Sequence, residues 1–371
     1  SENTRSAILD LIRSSGTVSR IELSAMSGLT PTSISRMVKS LIEAGLVIET
    51  GLGDSTGGKR PSLLELNPTA RYAIGLSLDE SQLTYVVTDF EGNVVSQLVS
   101  FGIGGQSPSD VMQRVAGEIA QLIRELKIPL GDVVGVGVAG AGLDIGSGAE
   151  RLSLTGDEWE SFAVRETLEA STGLPIVRDN DAACAALGQF WVGRIAATQD
   201  FATLYMAGGF GLGLARLLVT NGVLNRGSSS NVGEIGHMVL AIDGPDCWCG
   251  SRGCLEMLAA PRAVVARALQ HQSVVDGLGL LGTDDSVRSD FEAIARAAAE
   301  GDERCAELIE DSARYVAIAV LSVVNLLDPD RVYLAGPGFA HAGAIYLKAI
   351  RSVVAQHART RAVHSVSIEL S

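Results

Sequence analysis

One short stretch concentrates the chemistry. Gly233-Glu234-Ile235-Gly236-His237 is followed by Cys247-Trp248-Cys249-Gly250-Ser251-Arg252-Gly253-Cys254-Leu255-Glu256, so one imidazole and three thiols fall within 18 residues. His237, Cys247, Cys249 and Cys254 suit a closed tetrahedral zinc site, and the glycines let the backbone fold tightly round an ion. The plain alternative is three reduced structural cysteines beside a surface histidine. A closed site leaves no open position for metal-assisted hydrolysis. Zinc here would instead fix Glu234 and Glu256 near one another, and fixed carboxylates beside a cleft suit hydrogen bonding to sugar hydroxyls. The other two thiols, Cys184 and Cys305, stand alone, so five cysteines make poor material for a disulfide framework.

A different chemistry is expected at the N-terminus. Asn3–Ser14 reads as a helix through Ile8, Leu9, Leu11 and Ile12. Ser19 and Glu22 form a capping box for helix 20–27, which Gly28 ends. Thr30 caps the next helix, with Pro31 at its first position. Ile34, Met37, Val38, Leu41 and Ile42 make its apolar stripe, and Thr32, Ser33, Ser35, Arg36 and Lys39 its outer face. Helix, short glycine turn and helix make the helix-turn-helix layout, whose second helix reaches phosphates and base edges. Strands at 46–49 and 63–66 flank a loop rich in glycine that ends in Lys59 and Arg60, a wing able to lie along a phosphate backbone. A protein-interaction module with a solvated hairpin is the alternative.

The whole chain has 371 residues and a formal charge of −14. Residues 1–66 carry seven basic and seven acidic side chains, so the remainder holds all the excess negative charge. An acidic body repels nucleic acid, and any such contact must come from the N-terminal module. With 46% hydrophobic and 19% charged residues the chain is not disordered. No apolar run reaches membrane-spanning length and no basic-then-apolar leader opens the chain, so a cytoplasmic protein is expected.

Beyond the hinge at Asn67-Pro68, strands are expected at 72–78, 83–90 and 94–101, then a helix at 109–126 and a strand at 133–138. Helix 160–172, strand 175–178 and helix 181–191 follow. The pattern then repeats, with strands at 201–207, 211–219 and 222–224, helices at 260–270, 290–300 and 303–327, and strands at 331–335 and 366–370. Two similar halves predict a duplicated α/β fold with a ligand cleft between lobes.

On these residues the chain resembles the ROK family (repressors, open reading frames, kinases) from about residue 4 to the end. The Gly-Glu-Ile-Gly-His and Cys-Trp-Cys-Gly-Ser-Arg-Gly-Cys-Leu-Glu motifs carry most of the resemblance, and Asn180-Asp181-Ala182-Ala183 adds to it. The resemblance implies a winged helix-turn-helix at 1–67 and a two-lobed actin-like sugar-kinase fold. Its lobes are expected at 72–185 and 186–371, with a closing C-terminal helix missing after Ser371. It implies a sugar pocket lined by Asn180, Asp181, Glu234, His237 and Glu256, and zinc held by His237, Cys247, Cys249 and Cys254. In the family's kinases the residue matching Asp181 is the general base. The residues alone read Asn180-Asp181 as a helix N-cap.

Three departures bear on function. Where family kinases carry Asp-x-Gly-Gly-Thr, this chain has Ser77-Leu78-Asp79-Glu80-Ser81. Two carboxylates there would face the phosphates of ATP, each such pair at 4 Å costing about 4 kcal/mol at an effective dielectric near 20. The second glycine stretch, 207–213, is kept but proves little alone. Leu154-Thr155-Gly156-Asp157-Glu158-Trp159 lacks the asparagine that family kinases place before the tryptophan. The expectation is a sugar-responsive repressor, not an enzyme, in which Asp181 is a vestigial base. It would act as a homodimer on a double-stranded operator, with a monosaccharide or a derivative as effector. The alternatives are a sugar kinase with an added regulatory domain and a regulator controlled by a protein partner.

Overall fold

The computed structural model describes residues 2–52, 60–140, 142–144, 150–152, 159, 162–192, 200–207, 212–217 and 232–371. The N-terminal elements are α1 (Glu2–Ser15), β1 (Val18–Ser19), α2 (Arg20–Ser27), α3 (Pro31–Glu43), β2 (Val47–Leu52) and β3 (Ser62–Leu66). Local chemistry sets their ends. Glu22 Oε2 accepts the Ser19 N–H at 2.8 Å while Ser19 Oγ accepts the Glu22 N–H at 3.3 Å, the expected capping box. Gly28 stops α2 at φ +68°, a left-handed conformation that costs glycine little. Thr30 caps α3, with Pro31 opening it. Ile34, Val38 and Leu41 are buried against Ile8, Ile12, Leu23 and Leu64. β1 pairs with β3, and β3 with β2, both antiparallel, giving a winged helix-turn-helix. The two-residue β1 is too short for an alternation pattern to announce. Most of the wing tip, with Lys59, lies outside the described residues; Arg60 is exposed.

The linker is held rather than loose. Asn67 Nδ2 donates to Gly45 O at 2.8 Å, and its Oδ1 accepts from Thr69 N at 3.3 Å. The first lobe then runs through β4 (Tyr72–Leu78), β5 (Gln82–Thr88), β6 (Val94–Phe101), α4 (Pro108–Glu125), β7 (Val133–Gly140), the short hairpin β8 (Gly142–Asp144) and β9 (Glu150–Leu152), α5 (Val164–Thr172) and β10 (Ile176–Asn180). Among the described residues its main sheet has the order β10-β7-β4-β5-β6, an antiparallel meander joined to two parallel strands. Helix 160–172 begins only at Val164. Trp159 is buried and meets Phe162 edge-on at 6.3 Å, anchoring the entry in the lobe's core.

The second lobe comprises α6 (Asp181–Val192), β11 (Phe201–Met206), β12 (Leu212–Leu217), α7 (Leu255–Ala259), α8 (Pro261–Ala268), α9 (Gln272–Leu278), α10 (Val287–Glu300), α11 (Glu303–Leu327), β13 (Arg331–Ala335), α12 (Gly343–His357) and β14 (Ser367–Leu370). Its sheet order among described residues is β12-β11-β13-β14, again an antiparallel pair followed by parallel strands. The expected strand at 222–224 lies outside the described residues. The expected helix 260–270 is α8, and a further short helix, α7, directly precedes it. Ala260 is extended (φ −61°, ψ 159°) because the following Pro261 disfavours α geometry in the residue before it. A lobe boundary between residues 185 and 186 falls inside α6, which starts at the end of β10 and packs Ala182, Ala186 and Phe190 against Phe201 and Tyr333. No helix among the described residues is long and apolar enough to cross a membrane.

Candidate metal centre and interlobe cleft

His237 closes a 3-10 turn that Glu234 opens. Cys254 is the N-cap of α7 and Glu256 lies in its first turn. Between them the chain doubles back on itself: Leu240 N donates to Gly253 O at 2.9 Å, Leu255 N to Met238 O at 2.9 Å, and Cys247 N to Ser251 O at 2.8 Å. Two glycines permit this. A Cβ on Gly253 (φ +64°) would lie 1.6 Å from Ala241 O, and one on Gly244 would lie 2.5 Å from the Cα of Gly253.

The donor atoms of His237, Cys247, Cys249 and Cys254 all lie within 4.8 Å of one another. Cys247 Sγ is 3.6 Å from His237 Nδ1, and Cys249 Sγ is 3.7 Å from Cys254 Sγ. A tetrahedral zinc with Zn–S near 2.3 Å and Zn–N near 2.0–2.1 Å has S–S edges of about 3.8 Å and S–N edges of about 3.6 Å. Both measured edges fit, so the cluster could hold a metal ion such as zinc, with Nδ1 as the histidine donor.

Trp248 lies between two of these thiols in sequence. Its ring meets the His237 ring edge-on at 4.6 Å, and its Nε1 donates to Glu256 Oε1 at 2.9 Å. Glu256 is only 6% exposed. Glu234 feels both neighbours: burial raises its pKa, His237 lowers it and Glu256 raises it. The expected grouping of Glu234, His237 and Glu256 is therefore present, and Trp248 joins it. The sequence holds one signal for Trp248, an indole between two cysteines of the motif.

Asn180 and Asp181 approach from the end of β10. Asn180 Oδ1 accepts the N–H groups of Ala182 (2.9 Å) and Ala183 (3.3 Å), so the N-cap reading of Asn180 is met. Asp181 Oδ1 accepts from Ala182 N at 2.7 Å. Burial pushes the Asp181 carboxyl up to about 6, with further upward pushes from the charges of Asp79 and Glu234. Asp181 thus joins the two walls of the cleft electrostatically.

The turn expected to face phosphates lies between β4 and β5. Asp79 Oδ1 accepts the Ser81 N–H at 3.0 Å and the Ser81 hydroxyl at 2.7 Å. The Asp79 and Ser81 side chains also meet Arg288 of α10: Asp79 Oδ1 to Arg288 Nη1 is 3.6 Å and Ser81 Oγ to Nη1 is 3.4 Å. One of the two carboxylates is thus paired across the lobes rather than bare. Tyr205 is drawn into the same cluster: burial first, then Asp181 and Asp79, raise its phenol pKa, and Arg288 lowers it. Neither Arg288 nor Tyr205 was legible as a cleft residue, because each sits on a regular element far along the chain. Glycines 208, 209 and 211, and all of the Leu154–Trp159 stretch except Trp159, lie outside the described residues.

The N-terminal face is separate. Thr32, Ser35, Arg36 and Lys39 are exposed on α3. Ser33 also serves the helix start: its Oγ accepts from Thr30 Oγ1 at 3.0 Å and its N–H donates to Thr30 Oγ1 at 3.3 Å. Lys39 lies 3.8 Å from Glu43, both well exposed.

Comparison with known proteins meets this architecture at both ends. The ROK family pattern matches residues 73–371, and a winged helix-turn-helix DNA-binding pattern matches residues 2–48. The xylose repressor of Caldicellulosiruptor bescii is 27% identical over 366 residues, covering 98% of this chain and 90% of that protein. The DNA-binding transcriptional dual regulator NagC of Escherichia coli is 27% identical over 353 residues, covering 94% and 83%. Among solved structures, a ROK family transcriptional regulator homologous to E. coli MLC superposes with a TM-score of 0.72 at 22% identity, covering 95% of this chain and 87% of the other. A ROK family glucokinase from Streptomyces griseus, in complex with glucose and AMPPNP, gives 0.63 at 24% identity, covering 81% and 94%. The likeness to these two structures establishes the fold. The chain belongs to the ROK family and carries a winged helix-turn-helix at its N-terminus.

Proposed function

We propose that this chain is a sugar-responsive transcriptional regulator, a repressor, that binds an operator as a homodimer through its winged modules. The observation that carries the sugar half is the approach of three carboxylates from separate segments, Asp181 lying in the field of Glu234 and Glu234 in that of Glu256. Carboxylates held in fixed positions accept hydrogen bonds from the hydroxyls of a monosaccharide. The xylose repressor and the DNA-binding transcriptional dual regulator NagC among its relatives support this reading. Zinc held by His237, Cys247, Cys249 and Cys254 would supply a structural pin. It would keep the turn before α7 folded, so that Glu234 and Glu256 keep their spacing. Asn180 and Asp181 complete the pocket from the other side. On the DNA side, Thr32, Ser35, Arg36 and Lys39 face the groove, and Lys59 and Arg60 contact the backbone from the wing. Ser33, on the same helix, completes the set. Two modules on a two-fold axis read a pseudo-palindrome, and a sugar that favours one lobe arrangement changes their spacing.

A second reading has one observation in its favour. A cleft carboxyl near 6 suits a general base, as in a sugar kinase. Against it stands the β4–β5 turn. Phosphate cradles use backbone N–H donors, and here the Asp79 carboxylate takes the Ser81 N–H itself while Arg288 lies against that carboxylate. We therefore assign Asp181 to hydroxyl binding, without phosphoryl transfer.

The experiment is selection of genomic fragments retained by the purified protein, repeated with D-xylose, N-acetylglucosamine or glucose. Retention of discrete fragments that changes with one sugar is the expected result. ATP consumption dependent on any of these sugars removes the reading in favour of the kinase. Discrete retention indifferent to all sugars, with no thermal stabilisation by them, favours control by a protein partner.

A further inference from the structure

Arg13 lies on α1 of the DNA-binding module, yet it is 3% exposed. Its guanidinium is held by Asp10, whose Oδ1 accepts from Nε at 2.9 Å and Nη2 at 2.8 Å. Nη1 donates to two main-chain carbonyls of the body, Phe190 O at 3.2 Å and Trp191 O at 3.0 Å. The guanidinium also lies 4.7 Å from the ring centroids of both Phe190 and Trp191. These carbonyls lie at the C-terminal end of the described part of α6, where the helix dipole favours a cation. Arg13 thus ties the winged module to α6 of the body.

The other end of the same helix carries Asn180 and Asp181. At 1.5 Å per residue the path from Asp181 to Trp191 is about 15 Å of continuous α-helix. Its inner face, Ala182, Ala186 and Phe190, packs on Phe201 and Tyr333, so it moves as a unit rather than bending residue by residue. We infer that α6 is the coupling rod between cleft and DNA-binding module, and that Arg13 is the positioning residue that fastens the module to it. This rests on the reading that the cleft binds a sugar. A ligand that draws Asp181 shifts or turns α6, and the two carbonyls and two rings that grip Arg13 carry α1 with them.

The tryptophans make the two steps separately visible in the full chain. Trp248 touches Glu256 and reports the cleft. Trp191 reports the Arg13 contact. Trp159, buried in the first lobe, reports folding. The protein is labelled with 5-fluorotryptophan, resonances are assigned by Trp→Phe substitution, and D-xylose, N-acetylglucosamine and glucose are titrated. In the wild type, the sugar that moves the Trp248 resonance also moves that of Trp191. In Arg13→Ala, Trp248 still responds, with sugar affinity within about threefold of wild type. The ratio of DNA dissociation constants with and without sugar, typically about 5–150-fold for allosteric coupling, falls to within about twofold of unity. Arg13→Lys, which keeps the charge but loses the planar fork, moves the same way. Asp10→Asn carries the test if Trp159 shows that Arg13→Ala is misfolded.

A Trp248 response with a stationary Trp191 overturns the inference and leaves the sugar reading intact. So does an Arg13→Ala protein whose DNA affinity falls equally with and without sugar. A Trp248 resonance that no sugar moves removes the sugar reading, and the inference with it.

Discussion

Replacing Asp181 by asparagine tests the electrostatics of the cleft directly. Burial and the neighbouring charges of Asp79 and Glu234 lift this carboxyl from 3.8 to about 6. A difference of about two pH units corresponds to at most about 3 kcal/mol. Below pH 4 the carboxyl is protonated in both folded and unfolded chains, and the wild type carries no penalty. Between about pH 4 and 6 the unfolded chain gives up its proton first, and the folded form loses relative stability. Above pH 6 the penalty is complete. Asp181→Asn keeps an oxygen to accept from Ala182 N and removes the charge. It should therefore be more stable than wild type at pH 8, by up to about 3 kcal/mol, and equally stable near pH 4. Urea unfolding of both proteins across pH 4–8 measures this, and the pH dependence of their difference matters more than any one midpoint, since lobes need not unfold together. Equal stability at pH 8, or a gap that ignores pH, refutes the account of Asp181 as a charge forced into an acidic cleft. The same substitution should abolish sugar binding, which separates the binding role from the stability cost.

Cys249→Ser should lower zinc content from about one per chain toward zero and lose sugar-induced thermal stabilisation with it; unchanged zinc content by elemental analysis would exclude Cys249 as a ligand. Arg36→Ala should weaken operator binding by about 1–3 kcal/mol if it reads a base, or lower the log K against log salt slope by about one if it contacts phosphate; no change in either, by fluorescence anisotropy, removes α3 from the interface. Ser19→Ala breaks the capping box at a 4% exposed position. It should cost the winged module about 1 kcal/mol, seen as faster amide exchange across α2, while sugar binding is unaffected.

The parts legible in the sequence are those fixed by neighbours along the chain. Ser19 with Glu22, Thr30 with Pro31, and Gly28 each signal an end within four residues, and the structure places the caps there. The cluster that could hold a metal was legible for the same reason: its four side chains lie within 18 residues. Motif resemblance brought Asn180 and Asp181 to the cleft, which spacing alone could not do. What stayed hidden depends on chain segments far apart. The Asp79–Arg288 pair, the field of Asp181 on Tyr205 and the Arg13 contact with Phe190 and Trp191 join positions over 20 to over 200 residues apart. The sequence shows Asp79 as a bare charge. Its partner on α10 could be found only after folding.

The contact between Gly244 and Gly253 has a genetic consequence. Because the two backbones touch where any methyl group would collide, the thiols and the imidazole depend on two residues that donate nothing to an ion. Random mutagenesis screened for loss of the sugar response should therefore yield alanine and serine alleles at these glycines as often as losses at the cysteines themselves. Such alleles would look like ordinary surface changes to anyone ranking positions by chemical function.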